Sequence, residues 1–340
     1  MNPEIKFSEV YSSNIRRVEK IKVFLENLGL ELPSGMDIFV TAKDHDELIA
    51  VGGLSGKILK GIAVLPQRRG EGIILALMTG LINIAYERNQ KDLFLFSTPN
   101  NQALFEGCGF HLIQKYKNSV ILMENNQNIH KYKQSLKSQK QNGRTIGSIV
   151  MNANPFTLGH QYLAEQASRA CDWLHLFVVR EDASEFKFKD RLELVKQGVA
   201  HIKNVTIHEG SDYIISKTTF PTYFIKDKRK IDATYAQLDL SLFRDHIAPV
   251  LGITHRFVGT EPYCVVTDNY NQNMKKVLED ERSQSDPIEV IEVPRCQHHS
   301  LPISASRVRQ LLCDNNLELL KELVPKSTFE FLNTNRRIHE

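Results

Sequence analysis

None of the five cysteines in this 340-residue chain (Cys108, Cys171, Cys264, Cys296 and Cys313) belongs to a Cys-x-x-Cys pair, and their number is odd. With no secretory signal ahead of them, they read as reduced thiols of a cytoplasmic protein rather than as a disulfide framework. Long apolar runs are missing too. The stretch from Ile73 to Ile84 is interrupted by Thr79 and Gly80 and falls short of the roughly 20 residues that span a bilayer, so no membrane partner is expected. No block of Lys and Arg is interleaved with aromatic residues, and the net charge is only +3. That argues against a nucleic-acid partner and leaves small anionic ligands as sufficient reason for the basic excess. Clustered carboxylates that would cage a cation are absent. Cys296, His298 and His299 lie close together, but no second ligand pair is spaced as structural zinc requires, so no protein-held metal is expected. No internal repeat is visible.

What the chain does have is enough apolar content, 41%, to bury two cores. The polar stretch 124–144, carrying Lys131, Lys133, Lys137 and Lys140, separates a first domain over residues 1–123 from a second over 145–340. Tyr132 and Leu136, at i, i+4 spacing, would give that connector one apolar helical face; a flexible tether is the alternative.

In the second domain, strand-like runs at Ile146 to Met151, Trp173 to Val179, Val205 to Ile207, His255 to Val258 and Ile288 to Val293 alternate with helical stretches. This pattern predicts an α/β fold with a doubly wound parallel sheet, whose ligands bind beyond the carboxyl ends of the strands. There lies Asn154-Pro155-Phe156-Thr157-Leu158-Gly159-His160, between the first run and the amphipathic stretch Gln161 to Ala170. A strand-to-helix turn offers free N–H groups and a positive helix end to an anion. Gly159 lets the backbone approach phosphate, and the His160 imidazole can donate to a phosphoryl oxygen as charge builds there. Asn152 and Asn154 either bind phosphate or pin the turn. Ile303-Ser304-Ala305-Ser306-Arg307-Val308-Arg309 repeats the physics at a second helix start, where capping and phosphate binding can coexist. Arg307 and Arg309 fall on different helix faces, so only one can face a triphosphate. The basic run Lys187, Lys189, Arg191 could close over phosphates or form a solvated loop.

The first domain opens with an amphipathic helical stretch, Val18 to Leu28, followed by strand-like runs at Ile38 to Thr41, Glu47 to Val51 and Lys57 to Leu65. Gly52, Gly53 and Gly56 read as turn residues of an antiparallel sheet. Next comes Gln67-Arg68-Arg69-Gly70-Glu71-Gly72, opening a helix with Ile73, Leu77, Met78 and Leu81. Its unobstructed N–H groups can cradle a pyrophosphate, with Arg68 and Arg69 adding charge.

These motifs carry resemblances. The Gln67–Gly72 loop, with Asn101 to Phe110 after the strand Leu93 to Phe96, resembles the GNAT acyltransferase superfamily. That implies a mixed α+β domain in which Gln67, Arg68, Arg69, Gly70 and Gly72 bind a CoA-like group, though neither Glu71 nor Glu106 stands out as an acid or base for an acceptor amine. The Asn154–His160 turn, Phe257-Val258-Gly259-Thr260-Glu261 and Ser304 to Arg309 resemble, in order, the nucleotidyltransferase superfamily of phosphopantetheine and nicotinate mononucleotide adenylyltransferases. Thr157 stands where that superfamily has the first His of His-x-Gly-His. This second resemblance implies a Rossmann-like fold and catalytic roles for His160, Thr157 and Arg309. It also implies ATP contacts from Asn152, Asn154, Pro155, Phe156, Gly159, Gly259, Thr260, Ser304, Ser306 and Arg309, with Mg²⁺ arriving on ATP.

Met151 to Leu163, Tyr213 to Phe224, Arg256 to Tyr263 and Ile303 to Arg307 are, more closely, similar to the citrate (pro-3S)-lyase ligase family; with the GNAT-like front, that resemblance covers nearly the whole chain. It implies an acid–thiol ligase that uses ATP and acetate to acetylate the prosthetic-group thiol on the acyl carrier subunit of citrate lyase. AMP and pyrophosphate would be released, and acetyl-adenylate would be the intermediate. Tyr213 to Phe224, rich in Ser, Thr and aromatics, would line an acetate pocket or simply pack. Because that prosthetic group resembles dephospho-CoA, the front domain could hold its pantetheine arm. The rival readings are a plain adenylyltransferase acting on phosphopantetheine or a mononucleotide, and a sensor of acyl-CoA.

Overall fold

The computed structural model describes residues 5–180, 184–215, 233–260 and 265–339, and the chain divides into two compact units, Met1–His130 and Lys131–Glu340. The first unit is built on strands β1 (Lys6–Tyr11), β2 (Ile38–Asp44), β3 (Glu47–Ser55), β4 (Ile58–Val64), β5 (Phe94–Ser97), β6 (His111–Tyr116) and β7 (Val120–Glu124), with helices α1 (Ile15–Asn27), α2 (Ile73–Glu87) and α3 (Gln102–Glu106). The strands form one sheet in the order β1-β2-β3-β4-β5-β7-β6. Its first four strands are antiparallel, as expected. β1 escapes a reading by periodicity because only Val10 of its six residues is buried.

The parallel pair β4 and β5 meets only at Ile58–Phe94 and Leu59–Leu95, although β4 continues to Val64 and β5 to Ser97. The sheet therefore splits beside the loop that follows β4. Gly52 and Gly53 correct the expected turn, since both lie within β3, paired with β2. A Cβ on Gly52 would sit 2.8 Å from Leu81 Cδ1, and one on Gly53 2.3 Å from Met36 Cε. Their smallness lets side chains pack on the strand, and Gly56, with φ +54°, alone makes the turn. The core closes between this sheet and the buried face of α2, through Leu77, Met78 and Leu81.

The expected connector begins with Glu124, which is the last residue of β7 and accepts the Ile129 N–H at 3.0 Å. Its central part folds as helix α4 (Asn128–Lys137). Leu136 is buried, and the Tyr132 ring stacks on Tyr213 with centroids 5.6 Å apart.

The second unit contains β8 (Ile146–Met151), α5 (Leu158–Arg169), β9 (Trp173–Val178), α6 (Phe188–Gly198), β10 (Val205–Glu209), α7 (Ala233–Leu242), α8 (Ala248–Leu251), β11 (His255–Gly259), α9 (Val265–Leu278) and β12 (Glu289–Val293). A short hairpin of β13 (Gln297–His298) and β14 (Leu301–Pro302) leads to α10 (Ala305–Cys313), α11 (Leu317–Lys321) and α12 (Lys326–His339). The five-stranded sheet runs β10-β9-β8-β11-β12, and every pair is parallel. One face buries Ile149, Leu176, Val178 and Phe257 against α5 and α6 residues such as Ala164, Leu192 and Val195. On the other, Phe177 and Arg256 meet Phe243. The chain leaves β8 toward β9 and returns to β11, so the order reverses between β8 and β11. These two pair only at His255–Gly147 and Arg256–Ser148; their carboxyl ends diverge into the crevice where doubly wound sheets bind ligands.

Candidate active site

A cavity of about 340 Å³ occupies that crevice. Its floor is the turn after β8. Thr157 caps α5, its Oγ1 accepting the His160 N–H at 3.3 Å, while the Thr157 N–H donates back to His160 Nδ1 at 3.0 Å. This is a capping box with histidine in the place usually held by Glu or Gln. The reciprocal bond requires a lone pair on Nδ1, so the imidazole proton sits on Nε2. Burial, and then the nearby Arg295 charge, push the His160 pKa down to about 4. At neutral pH the ring is an uncharged N–H donor.

From the opposite wall, Ser304 caps α10 by accepting the Arg307 N–H at 3.2 Å. Arg309 reaches back across the crevice: Nη1 donates to the Asn154 carbonyl, Nη2 to Ser306 Oγ at 3.2 Å, and Nε lies 3.4 Å from the Glu185 carboxylate. The two walls touch at Gly159, where a Cβ would fall 2.9 Å from the Ile303 carbonyl oxygen. Asn152, Asn154, Thr157, Gly159, His160, Gly259, Ser304, Ser306 and Arg309 all line the cavity, together with Arg256 and Arg295. Among the described residues the lining contains three arginines and no carboxylate. Such a wall suits a polyanion.

Three residues expected at the nucleotide are not among the residues that line this cavity. Phe156 is fully buried beneath Gly198 and stacks on the His160 ring, so it supports that ring from below. Pro155 is buried outside the lining. Thr260 has its carbonyl engaged by Arg295 Nε and its N–H by Val293. The two asparagines hold the neighbouring loop: Asn152 exchanges hydrogen bonds with Ser184, and Asn154 Oδ1 accepts the Phe186 N–H. The basic run is not uniformly solvated. Lys187 and Lys189 are exposed, whereas Arg191 is buried and donates to the carbonyls of Phe186, Asn152 and Val179. The segments at 216–224 and 261–263 lie outside the described residues.

In the first unit, the loop after β4 presents Gln67, Arg69, Gly70 and Gly72 to solvent. Gly70 and Gly72 have φ +86° and +75°, with nothing within 4 Å of a built Cβ. Gly72 leads directly into α2, whose start has no side-chain cap. Arg68 does not add free charge as expected, because it is held by Asp44 at 2.6 Å and Glu71 at 2.9 Å.

Residues 146–332 match the citrate lyase ligase C-terminal domain, and residues 8–110 match the acetyltransferase (GNAT) family. A citrate (pro-3S)-lyase ligase of Escherichia coli (strain K12) is 46% identical over 327 residues, covering 96% of this chain and 93% of the relative. One from Klebsiella pneumoniae is 48% identical over 317 residues, with 93% and 92% covered. The chain belongs to the citrate lyase ligase family. It is an enzyme, and its first domain is of the GNAT type. A third member, from Haemophilus influenzae (strain ATCC 51907 / DSM 11121 / KW20 / Rd), is 44% identical over 326 residues, 95% of this chain and 97% of that relative.

The sequence assigned no role to Arg256, Arg295 or Tyr270, all of which line the cavity. A charged residue inside a strand that should be buried on both faces was the available signal for Arg256. For Arg295 it was a charge just past the carboxyl end of a parallel strand. Cys296, grouped at first with His298 and His299, lines the cavity instead. Those two histidines meet Glu322, with one donor atom from each within 4.8 Å of the others. The His298 Nε2–Glu322 contact of 3.2 Å ties the hairpin to the end of α11. No helix among the described residues is long and apolar enough to cross a membrane.

Proposed function

We propose that the second domain makes acetyl-adenylate from acetate and MgATP and that the acetyl group then passes to the prosthetic-group thiol of a citrate lyase acyl carrier subunit. An acetate oxygen attacks the α-phosphorus, the bond to the bridging oxygen of the β-phosphate breaks, and pyrophosphate leaves with the electron pair. The thiolate sulfur next attacks the acyl carbon, AMP departs and the thiol proton passes to solvent. Displacement at phosphorus needs positioning and charge stabilisation more than covalent help. The observation that carries the reading is that the neutral His160 imidazole and the capped start of α10 line one cavity with no carboxylate among its described lining residues. His160 then donates to the α-phosphate, and Ser304, Ser306 and Arg309 take the β- and γ-phosphates.

The names of the relatives support citrate lyase as the target. The open Gly70–Gly72 loop beside the split sheet supports a CoA-like arm, such as the carrier's prosthetic group, as what the first domain holds. Use of ATP and of a reduced thiol supports a cytoplasmic reaction. The test is exchange of labelled pyrophosphate into ATP without carrier, with acetate, nicotinate mononucleotide or phosphopantetheine as the acceptor. Acetate-dependent exchange that falls about 10²–10³-fold in His160→Ala is the expected result. Exchange only with a mononucleotide or phosphopantetheine would replace the ligase reading with a plain adenylyltransferase.

A further inference from the structure

Among the described residues of the second domain, three large cationic side chains are buried, and the fold treats one of them differently. Arg191 donates to three backbone carbonyls. Arg244 likewise donates to the carbonyls of Asp286, Val277 and Ser285 at 3.1, 2.6 and 2.7 Å. Arg256 is 3% exposed, and its Nη1 is buried with no hydrogen-bond partner. Its guanidinium rests on the Phe243 ring, 4.8 Å from the centroid. Asp239 and Tyr270 act on it electrostatically, yet the Asp239 oxygens are taken by the Ile215 N–H at 2.8 Å and the Tyr270 hydroxyl at 2.6 Å. Arg256 alone of the three lines the cavity. A buried guanidinium nitrogen left without a hydrogen bond is costly, and the cost is recovered when an anion arrives to accept one.

The anion's class follows from the surroundings. The phosphates of a nucleotide have the two helix starts, His160 and Arg309. Near Arg256 the lining offers Ile215, whose N–H bonds the Asp239 carboxylate that acts on the guanidinium, and Met274, one helical turn beyond Tyr270, and a planar guanidinium matches a planar carboxylate better than a point charge does. The geometry points to Arg256 as the anchor of the substrate acid, a short-chain carboxylate: the guanidinium holds the carboxylate, one of whose oxygens attacks phosphorus, while Ile215 and Met274 receive the alkyl end. This rests on the acetyl-adenylate reading above and assigns the acid's site within it.

The experiment is pyrophosphate exchange over a range of acetate concentrations, with ATP binding measured separately by calorimetry, for wild type, Arg256→Met and Arg256→Lys. Arg256→Met is expected to raise the acetate KM about 100-fold or more, the scale for truncating one partner of a buried charged contact. ATP affinity should change less than about threefold, a small effect on the scale of 1.4 kcal/mol per tenfold. Arg256→Lys keeps the charge without the fork and should fall between the two. An unchanged acetate KM in both variants overturns the assignment, as does a loss of ATP affinity that matches the loss of exchange. A wild-type protein with no acetate-dependent exchange would overturn the adenylate reading itself.

Discussion

The hydroxyl of Thr157 lies 2.9 Å from Nδ1 of His160, the same nitrogen that accepts the Thr157 backbone N–H. The hydroxyl accepts from the His160 N–H, so its own proton points at Nδ1 and reinforces the Nε2–H tautomer. Thr157 carries no charge, but it positions the imidazole proposed to donate to the α-phosphate. Thr157→Val should lower acetate-dependent exchange about tenfold, the weight of one net hydrogen bond. It should also cost about 1 kcal/mol of stability through the lost cap. Thr157→Ser keeps both contacts and should behave as wild type. Exchange kinetics alongside urea unfolding check this; a valine variant with undiminished exchange would leave Thr157 only its capping role.

Two cavity-lining glycines give opposite expectations. At Gly159 an added Cβ meets the backbone oxygen of Ile303 at 2.9 Å, and neither helix start can yield easily. Gly159→Ala should therefore lose about 1–3 kcal/mol of stability as the walls are forced apart, and ATP affinity with it. At Gly259 nothing lies within 4 Å of the built Cβ. Gly259→Ala should keep the thermal midpoint of wild type, so any drop in its ATP affinity reports the ligand's own approach. Wild-type ATP affinity in that variant would remove Gly259 from the nucleotide contacts.

The five strands of the second sheet were legible because apolar runs bounded by helical stretches are local signals, and each expected run overlaps β8, β9, β10, β11 or β12. Helix starts were legible for the same reason: Thr157 and Ser304 precede their helices as caps. What stayed hidden depends on contacts across the chain. Arg191 looked like one member of a basic run, and only the fold brings Asn152 and Val179 carbonyls to it. Arg68 looked free until β2 placed Asp44 beside it. Phe156 sits within the turn read as nucleotide-binding, and no local pattern tells that its ring packs beneath that turn against Gly198.

The pairing of Arg68 separates it from its neighbour in a testable way. With Asp44 and Glu71 already holding Arg68, the exposed Arg69 and the open N–H groups at Gly70 and Gly72 are what a pyrophosphate would meet. Gly72→Val blocks that approach and strains a residue at φ +75°, a cost of about 1–2 kcal/mol. It should reduce carrier acetylation while pyrophosphate exchange at the second domain stays at the wild-type rate. Arg69→Ala should weaken carrier acetylation more than Arg68→Ala does. Equal loss of exchange and carrier acetylation in Gly72→Val would refute the division of labour between the domains.

His175 and His208 are buried side by side, Nδ1 of the first 2.8 Å from Nε2 of the second, with Phe177 stacked on His208 at 4.4 Å. The outer nitrogens, His175 Nε2 and His208 Nδ1, are buried without hydrogen-bond partners. Burial pushes His175 down to about 4; burial, and then the neighbouring His175, push His208 down to about 3. Unfolded, each titrates near 6.5. Below that pH the unfolded chain takes up protons that the folded pair refuses, so stability is fully present at pH 7 and declines as the pH falls toward 4. The slope is up to about 1.4 kcal/mol per pH unit for each imidazole. His160, pushed down to about 4, adds to the decline in the same direction. Urea midpoints measured from pH 7.5 to 4.5 should fall steeply, and the double variant His175→Leu/His208→Leu should flatten the fall while leaving the share due to His160. A double variant with the full wild-type slope would assign acid sensitivity to groups other than this pair.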